Sequence, residues 1–185
     1  MIEIIFYVIV LFVLAACFYK YVIESDQFQL KCVISKVDAA ADLLAKTTDK
    51  CKQLVQYMQK THPDNPITMR LVKGFNPQRV VETLPTSEFT AYSENKGEKI
   101  AFCLNPKKNK DLDNLIDEHT LMFVAIHELS HVGTKSIGHK TDFWENFKFL
   151  LTEAKEAGIH EPIDYKKKPT EYCSMPIQDN PFYDV

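Results

Sequence analysis

The sequence predicts an α+β fold: an amino-terminal transmembrane helix, then a domain in which a small, mostly antiparallel sheet packs on helices. Three observations support this prediction. An almost uncharged apolar run opens the chain, segments with helical and strand periodicity follow it, and the pattern His-Glu-x-x-His stands at residues 127–131. A helix that carries this pattern is therefore expected at the centre of the domain.

The bulk composition fits one domain plus an anchor. The chain has 185 residues and a net charge of −3, from 22 Lys or Arg and 25 Asp or Glu. This near-neutral balance lacks the basic surface of a nucleic-acid-binding protein, so we expect no nucleic-acid partner. The 5 cysteines are widely spaced and form no Cys-x-x-Cys pair. We therefore expect reduced thiols rather than a disulfide framework.

Residues 1–24 are predicted to be a single-pass transmembrane anchor, and residues 25–36 its juxtamembrane connector. Residues 4–19 hold no charge, and apolar residues resume after Lys20, so residues 2–23 can span a core of about 30 Å. A cleaved or lipidated signal ending near Cys17 is the alternative, but the basic residues of such a signal are missing. Lysines follow the span and none precedes it, which predicts that the domain lies on the cytoplasmic side.

Residues 37–158 are predicted to form the folded domain, and residues 159–185 a coil tail. Asp117 is a suitable amino-terminal helix cap, Gly97 suits a tight hairpin turn, and Gly158 suits a helix end. The predicted elements are a helix from residue 37 to the break at Pro63, a strand over 67–72, a short helix over 77–84, a hairpin of 90–93 with 98–103, and helices over 118–131 and 141–157.

The motif residues have the spacing of a zinc site. His127 and His131 are four residues apart, so on a helix both imidazoles lie on one face and reach one metal ion. Glu128 lies beside that ion, where it can act as general base on a zinc-activated water. His139 can complete three protein ligands and leave a fourth position open, which is the catalytic rather than the structural arrangement.

The surroundings of the motif favour a buried metal helix over an amphipathic helix with two solvated histidines. Its flanks are uncharged, which a buried helix requires because a charge there is costly to desolvate. Gly133 can end the helix and let the chain turn back toward it. If His139 is a plain loop histidine, Glu145 or Glu153 is the alternative third ligand.

Auxiliary side chains are less sharply indicated. Trp144 is expected near the metal site, although filling the core is its simpler role. Tyr172 could place a phenol near the transition state, and Cys173 could place a thiolate on the zinc as a latency switch. The alternative for both is a surface tail without a catalytic part.

The stretch 114–131, followed by Gly138-His139 and Phe143-Trp144, resembles the WLM group of zinc metallopeptidases, which is related to the SprT-like proteases. The resemblance covers roughly residues 37–158 and implies a zincin-like domain. The gap between His131 and His139 is longer than is typical of WLM proteins and nearer to some SprT-like spacings. The chain also looks like small membrane-anchored WLM-like proteins of large DNA viruses.

The resemblance implies that His127, His131 and His139 bind Zn2+ and that Glu128 is the catalytic base. It also implies that the strand at 98–103 is the sheet edge along which an extended peptide lies. The predicted function is therefore a membrane-anchored zinc endopeptidase acting on a protein or peptide. One alternative is a catalytically silent zinc-binding module tethered to a membrane. The other is a protease that acts on protein crosslinked to DNA, although the near-neutral charge of the chain argues against DNA binding.

Overall fold

Helix α1 covers residues 37–61 and buries one side. The computed structural model describes residues 37–83, 87–106 and 114–184, and residues from Ala40 onward belong to one structural unit. Buried α1 residues recur at helical spacing and face the core: Cys51, Leu54, Val55 and Met58. This helix and its end before Pro63 are confirmed.

Helix α2 spans Pro66–Gly74, so the prediction of a strand over 67–72 is wrong. The Asn65 side chain accepts a hydrogen bond from the Ile67 backbone N–H, and Pro66 occupies the first turn. Ile67, Thr68 and Leu71 are buried, and that spacing places them on one helical face. A short apolar run does not by itself distinguish a strand from a helix, whereas the cap and the buried face do.

The central sheet is built from β1 (Val80–Glu82), β2 (Ala91–Glu94) and β3 (Lys99–Phe102) in the order β1-β3-β2. The predicted hairpin is confirmed, because β2 pairs antiparallel with β3. The predicted helix over 77–84 is wrong: a 3-10 turn over Pro77–Arg79 leads directly into β1, which pairs parallel with β3.

The pairing of β1 also corrects the predicted sheet edge. Residues 98–103 contain the central strand β3, which has a partner on each side. The two edge strands are β1 and β2. A parallel partner from an earlier part of the chain leaves no local signal, so the sequence alone pointed to the wrong strand.

The two long helices of the second half agree with prediction. Helix α3 spans Glu118–Gly133, and the Asp117 side chain caps it by accepting a hydrogen bond from Thr120 N–H. Helix α4 spans Thr141–Glu156 and buries one face, formed by Phe143, Phe147, Leu150, Leu151 and Ala154. The chain leaves α4 through Gly158 at φ +67°.

The tail was predicted to be coil, but it contains a hairpin of β4 (Thr170–Tyr172) and β5 (Met175–Ile177). Cys173 and Ser174 form its turn in the left-handed region. The side chains of Tyr172 and Cys173 are buried in the core.

A disulfide joins Cys103, just after β3, to Cys173, with Cα atoms 6.1 Å apart. The prediction of reduced thiols is therefore wrong for this pair. The two cysteines are 70 residues apart in sequence, so only the folded chain reveals that they meet. Cys51 is a free thiol, and burial raises its pKa to about 12.

The predicted transmembrane part of the fold class needs correction. Within the described residues, no helix is both long and apolar enough to cross a membrane. Helix α1 carries charged residues along its length, and the apolar α3 has only 16 residues, about 24 Å against a core of about 30 Å. The fold class is accordingly α+β without a described membrane helix, and single-pass membrane localisation is not supported. The predicted anchor, residues 1–24, lies outside the described residues.

Gly97 should be far less tolerant of a side chain than Gly158, although both have positive φ. A Cβ at Gly97 would lie 2.7 Å from the Gly74 carbonyl oxygen and 2.9 Å from Val132 Cγ1, while one at Gly158 would meet nothing within 4 Å. We expect Gly97→Ala to lower the free energy of unfolding by about 1–3 kcal/mol more than Gly158→Ala, because overpacking adds to the strain both share. Urea denaturation measures this, and equal losses would contradict the close approach.

Candidate metal centre

Three histidines converge at the carboxyl-terminal half of α3. His139 Nε2 lies 3.0 Å from His127 Nε2 and 3.1 Å from His131 Nε2, and the candidate ligand atoms all lie within 4.8 Å of one another. His127 and His131 project from the same face of α3, as their spacing predicts. His139 comes from the loop between α3 and α4. The structure thus brings together the predicted ligand set.

The ring of Phe143, at the start of α4, packs against all three imidazoles. Its centroid lies 4.9 Å from that of His127, 4.3 Å from that of His131, where the rings stack, and 4.7 Å from that of His139. Phe143 is fully buried, so it forms a rigid floor under the histidines. From the sequence, Phe143 entered as part of the Phe143-Trp144 pair that supports the resemblance to the WLM group.

The loop that carries His139 is anchored by Lys96, at the turn between β2 and β3. Its Nζ donates hydrogen bonds to the carbonyl oxygens of His131, Thr134 and Ser136, at 3.1, 2.8 and 2.7 Å. The Arg70 side chain on α2 donates a hydrogen bond through Nε to the carbonyl oxygen of Gly133, the last residue of α3. Two cations therefore meet the carbonyls at the end of α3, which also suits the negative end of the helix dipole.

Glu128 is buried beside the histidines, with 5% of its surface exposed. Burial raises the pKa of its carboxyl to about 7, while a hydrogen bond with the Ser93 side chain on β2 opposes that shift. A carboxyl with a pKa near neutrality suits a general base. Sequence reasoning identified Glu128 but missed Ser93, whose contact depends on how β2 packs on α3.

The two candidate ligands on α3, His127 and His131, favour the neutral form. Burial, and then the proximity of the neighbouring histidines, lowers the pKa of His127 to about 3. The same causes and the Lys96 charge lower the pKa of His131 to about 4. Neutral imidazole is the form that binds a metal.

The alternative third ligands do not belong to the cluster. Among the described residues, the group that could hold an ion comprises the three histidines alone. Glu153 is buried on α4 and pairs instead with His62, at 2.8 Å between Nε2 and Oε2. Glu145 is exposed and outside the cluster.

The auxiliary side chains take different roles. Trp144 lies beside His139, with ring centroids 5.7 Å apart, and it is 45% exposed, so it does not simply fill the core. Tyr172 lines the same cleft as Glu128, and burial raises its pKa. Its hydroxyl accepts a hydrogen bond from Cys103 N–H at 3.1 Å and donates one to the Thr90 carbonyl at 3.3 Å. Cys173 is in the disulfide and offers no thiolate to a metal.

The histidines and Glu128 open onto a cleft of about 690 Å³. One side is formed by residues 90–93, which include most of β2, and another by the tail hairpin. Apolar side chains contribute much of the lining: Phe123, Val124, Ile137, Met175 and Ile177. The cleft thus places the cluster beside a strand edge and a largely apolar surface.

The donor set fits zinc. In a tetrahedral site with Zn–N bonds of about 2.0–2.1 Å, two ligand nitrogens lie about 3.3 Å apart. The separations of 3.0 and 3.1 Å between His139 and the two α3 histidines are within a few tenths of an ångström of this value, and all the candidate ligand atoms lie within 4.8 Å of one another. Three imidazoles beside a cleft leave room for a fourth ligand from the cleft side.

Comparison with known proteins points to viral relatives. The chain is 31% identical over 99 residues to an uncharacterised protein of Acanthamoeba polyphaga mimivirus, covering 54% of this chain and 49% of that one. It is 29% identical over 125 residues to an uncharacterised protein of Invertebrate iridescent virus 6, and the match covers 65% of this chain and 68% of that protein. It is 34% identical over 103 residues to an uncharacterised protein of Invertebrate iridescent virus 3, and the match covers 55% of this chain and 57% of that protein.

The matched region spans about half the length of the mimivirus relative and somewhat more of the iridescent virus 3 relative. No protein-family model matches the chain, and no solved structure matches it. The relatives' names state no activity, so the resemblance to the WLM group stays a prediction.

Lys96→Met should weaken zinc binding while the domain stays folded, because the loop between His131 and His139 loses a triple anchor. We expect a loss of about tenfold or more in affinity, the usual effect of removing a group that orients ligands. Competition with a chromogenic chelator measures it. Lys99→Met is the matched control, since Lys99 bonds Tyr92 and Glu94 instead. Equal affinity in both variants would rule out the anchoring role.

The metal-free protein should lose stability as the pH falls from 6.5 toward 4. His127, His131 and the buried His160 have folded-state pKa values of about 3, 4 and 4, so the unfolded chain binds more protons in this window. Glu128 acts oppositely: its raised pKa gives stability that is present below pH 4.5 and lost as the pH rises through 7.

Glu128→Gln should therefore make the pH dependence of the unfolding free energy steeper between pH 4.5 and 6.5. Urea denaturation of the chelated protein across this range provides the measurement. A slope unchanged by the substitution would contradict the raised pKa of Glu128.

Proposed function

We propose that this domain is a zinc-dependent endopeptidase of the kind that its resemblance to the WLM and SprT-like proteases implies. The observation that carries the proposal is the convergence of three histidine Nε2 atoms beside a buried glutamate in an open cleft. Three nitrogen ligands, an open fourth position and an adjacent carboxylate are the parts that metal-assisted peptide hydrolysis requires.

In this proposal His127, His131 and His139 would hold the ion. When bound, the zinc would lower the pKa of a water and polarise the scissile carbonyl. The Glu128 carboxylate takes a proton from the attacking water and delivers it to the nitrogen of the leaving amine. Ser93 on β2 lies beside that carboxylate and favours its charged form.

The peptide would lie along β2. This strand pairs with β3 on one side and borders the cleft on the other, where Thr90, Ala91, Tyr92 and Ser93 line it. A strand edge supplies main-chain hydrogen bonds to an extended peptide independently of its sequence. The scissile bond would then lie between β2 and the side chains of His127, Glu128 and His131 on α3.

The decisive experiment compares Glu128→Gln with Glu153→Gln in the full chain. Both glutamates are 5% exposed, but Glu153 lies on α4 and pairs with His62. We expect Glu128→Gln to keep one zinc per chain and to lose about 100-fold or more of its peptidase activity, since a general base supplies about 10²–10⁴-fold. Glu153→Gln should retain activity. Elemental analysis and cleavage of unfolded casein give the two readouts.

The metal ligands are tested in the same experiment with His139→Ala and His119→Ala. Both histidines are exposed, but His119 lies in the first turn of α3, outside the cluster. We expect zinc to be lost or much weakened only in His139→Ala. Bound zinc without any hydrolysis would favour the silent binding module, and a folded wild-type chain that binds no zinc would sink both functions.

A further inference from the structure

One side of the candidate catalytic cleft comes from a distant part of the sequence. Tyr172, Met175 and Ile177 of the β4–β5 hairpin line the cleft together with Glu128 of α3. The hairpin therefore forms a wall of the site that the motif residues alone do not define. We call it the tail wall, residues 170–177.

The tail wall is attached mainly at its turn. The Cys103–Cys173 disulfide links that turn to the end of β3, and Cys173 N–H and Ser174 N–H donate to the carbonyls of Asn105 and Pro106, at 3.2 and 2.8 Å. The Tyr172 hydroxyl adds bonds to the backbone just before β2 and just after β3. A covalent bond and four hydrogen bonds thus converge on one end of the hairpin.

Of the three tail-wall residues that line the cleft, Met175 and Ile177 have apolar side chains, and Tyr172 has its hydroxyl bonded to the backbone. Met175 is 49% exposed, yet it lines the cleft together with Ile177 and, from α3, Phe123 and Val124. Thr90 Oγ1 lies 3.9 Å from Met175 Sδ, which brings this side chain next to the strand edge. A substrate that pairs with β2 would therefore present its side chains to an apolar surface, which favours bulky apolar residues.

We propose that the tail wall selects a bulky apolar side chain of an extended peptide, and that the Cys103–Cys173 disulfide holds the wall in its selecting position. This inference deepens the proposed function and rests on it for the direction of the peptide along β2. It adds two properties that the zinc motif does not contain: a preference for substrate residues such as leucine, and a dependence of binding on the oxidation state of the protein.

The redox dependence has a simple chemical balance. A dithiol such as dithiothreitol attacks the disulfide and passes on two electrons and two protons. The products are the Cys103 and Cys173 thiols, and the reagent becomes a cyclic disulfide. The turn then loses its covalent link to the end of β3, so we expect the wall to sample other positions and the affinity for the apolar side chain to fall.

The test is peptide binding to the zinc-loaded, full-length Glu128→Gln protein, which does not depend on turnover. The probes are two fluorescein-labelled octapeptides of alanine that differ only in one central residue, leucine or serine, and anisotropy gives the dissociation constants. We expect the leucine peptide to bind about tenfold more tightly, a typical preference of an apolar pocket for a larger side chain.

The wall is tested with Met175→Asp against Met69→Asp. Met69 is 54% exposed on α2 and does not line the cleft, so it offers the same substitution at a similar exposure. Met175→Asp should abolish the preference for leucine, while Met69→Asp should keep it. Equal binding of the two peptides by the parent protein, or equal behaviour of the two variants, would overturn the inference.

The clamp is tested by reduction. Dithiothreitol should lower the affinity for the leucine peptide severalfold, and a Cys103→Ala, Cys173→Ala double variant should reproduce that loss without reductant. An unchanged affinity in the reduced protein would refute the clamp. Selective binding of the leucine peptide by a wild-type chain that never cleaves it would instead overturn the peptidase function and leave the tail wall as a peptide-binding surface.

Discussion

The whole site depends on the burial of α3 on nearly every side. From Thr120 to Gly133 almost all residues of this helix are buried, because α2, α4 and the sheet pack around it. Such a helix cannot rotate or shift without opening the core, so the positions of His127 and His131 are fixed by packing rather than by their own contacts. Gly133, at the end of α3, packs closely against α2, since a Cβ there would lie 2.8 Å from a methyl carbon of Ile67.

Burial also sets the electrostatics of the site. The same low-polarity surroundings that lower the pKa values of His127 and His131 raise the pKa of Glu128, so burial is the leading cause of all three shifts. Two positive charges lie at the carboxyl end of α3, where Lys96 and Arg70 donate hydrogen bonds to main-chain carbonyls. They stabilise the turn that brings His139 back over α3 without placing a cation among the histidines themselves.

The cleft is assembled from three regions that are far apart in sequence. Strand β2 supplies a main-chain edge, α3 supplies the chemistry, and the tail hairpin supplies an apolar wall. The disulfide between Cys103 and Cys173 joins the tail wall to the end of β3. In the proposed peptidase, chemistry and selection would therefore be carried by different segments, and the tail would set what the cleft accepts without altering the candidate metal-binding motif.

The sequence by itself determined the features that depend on local spacing. Helical periodicity, the Asp117 cap and the i, i+4 pair of His127 and His131 located α3 and its cluster, and Gly97 located the hairpin. The tertiary structure decided the rest: β3 as the central strand, Ser93 beside Glu128 and the disulfide. These depend on partners distant in sequence, and no local pattern records which distant segment will pair, pack or crosslink.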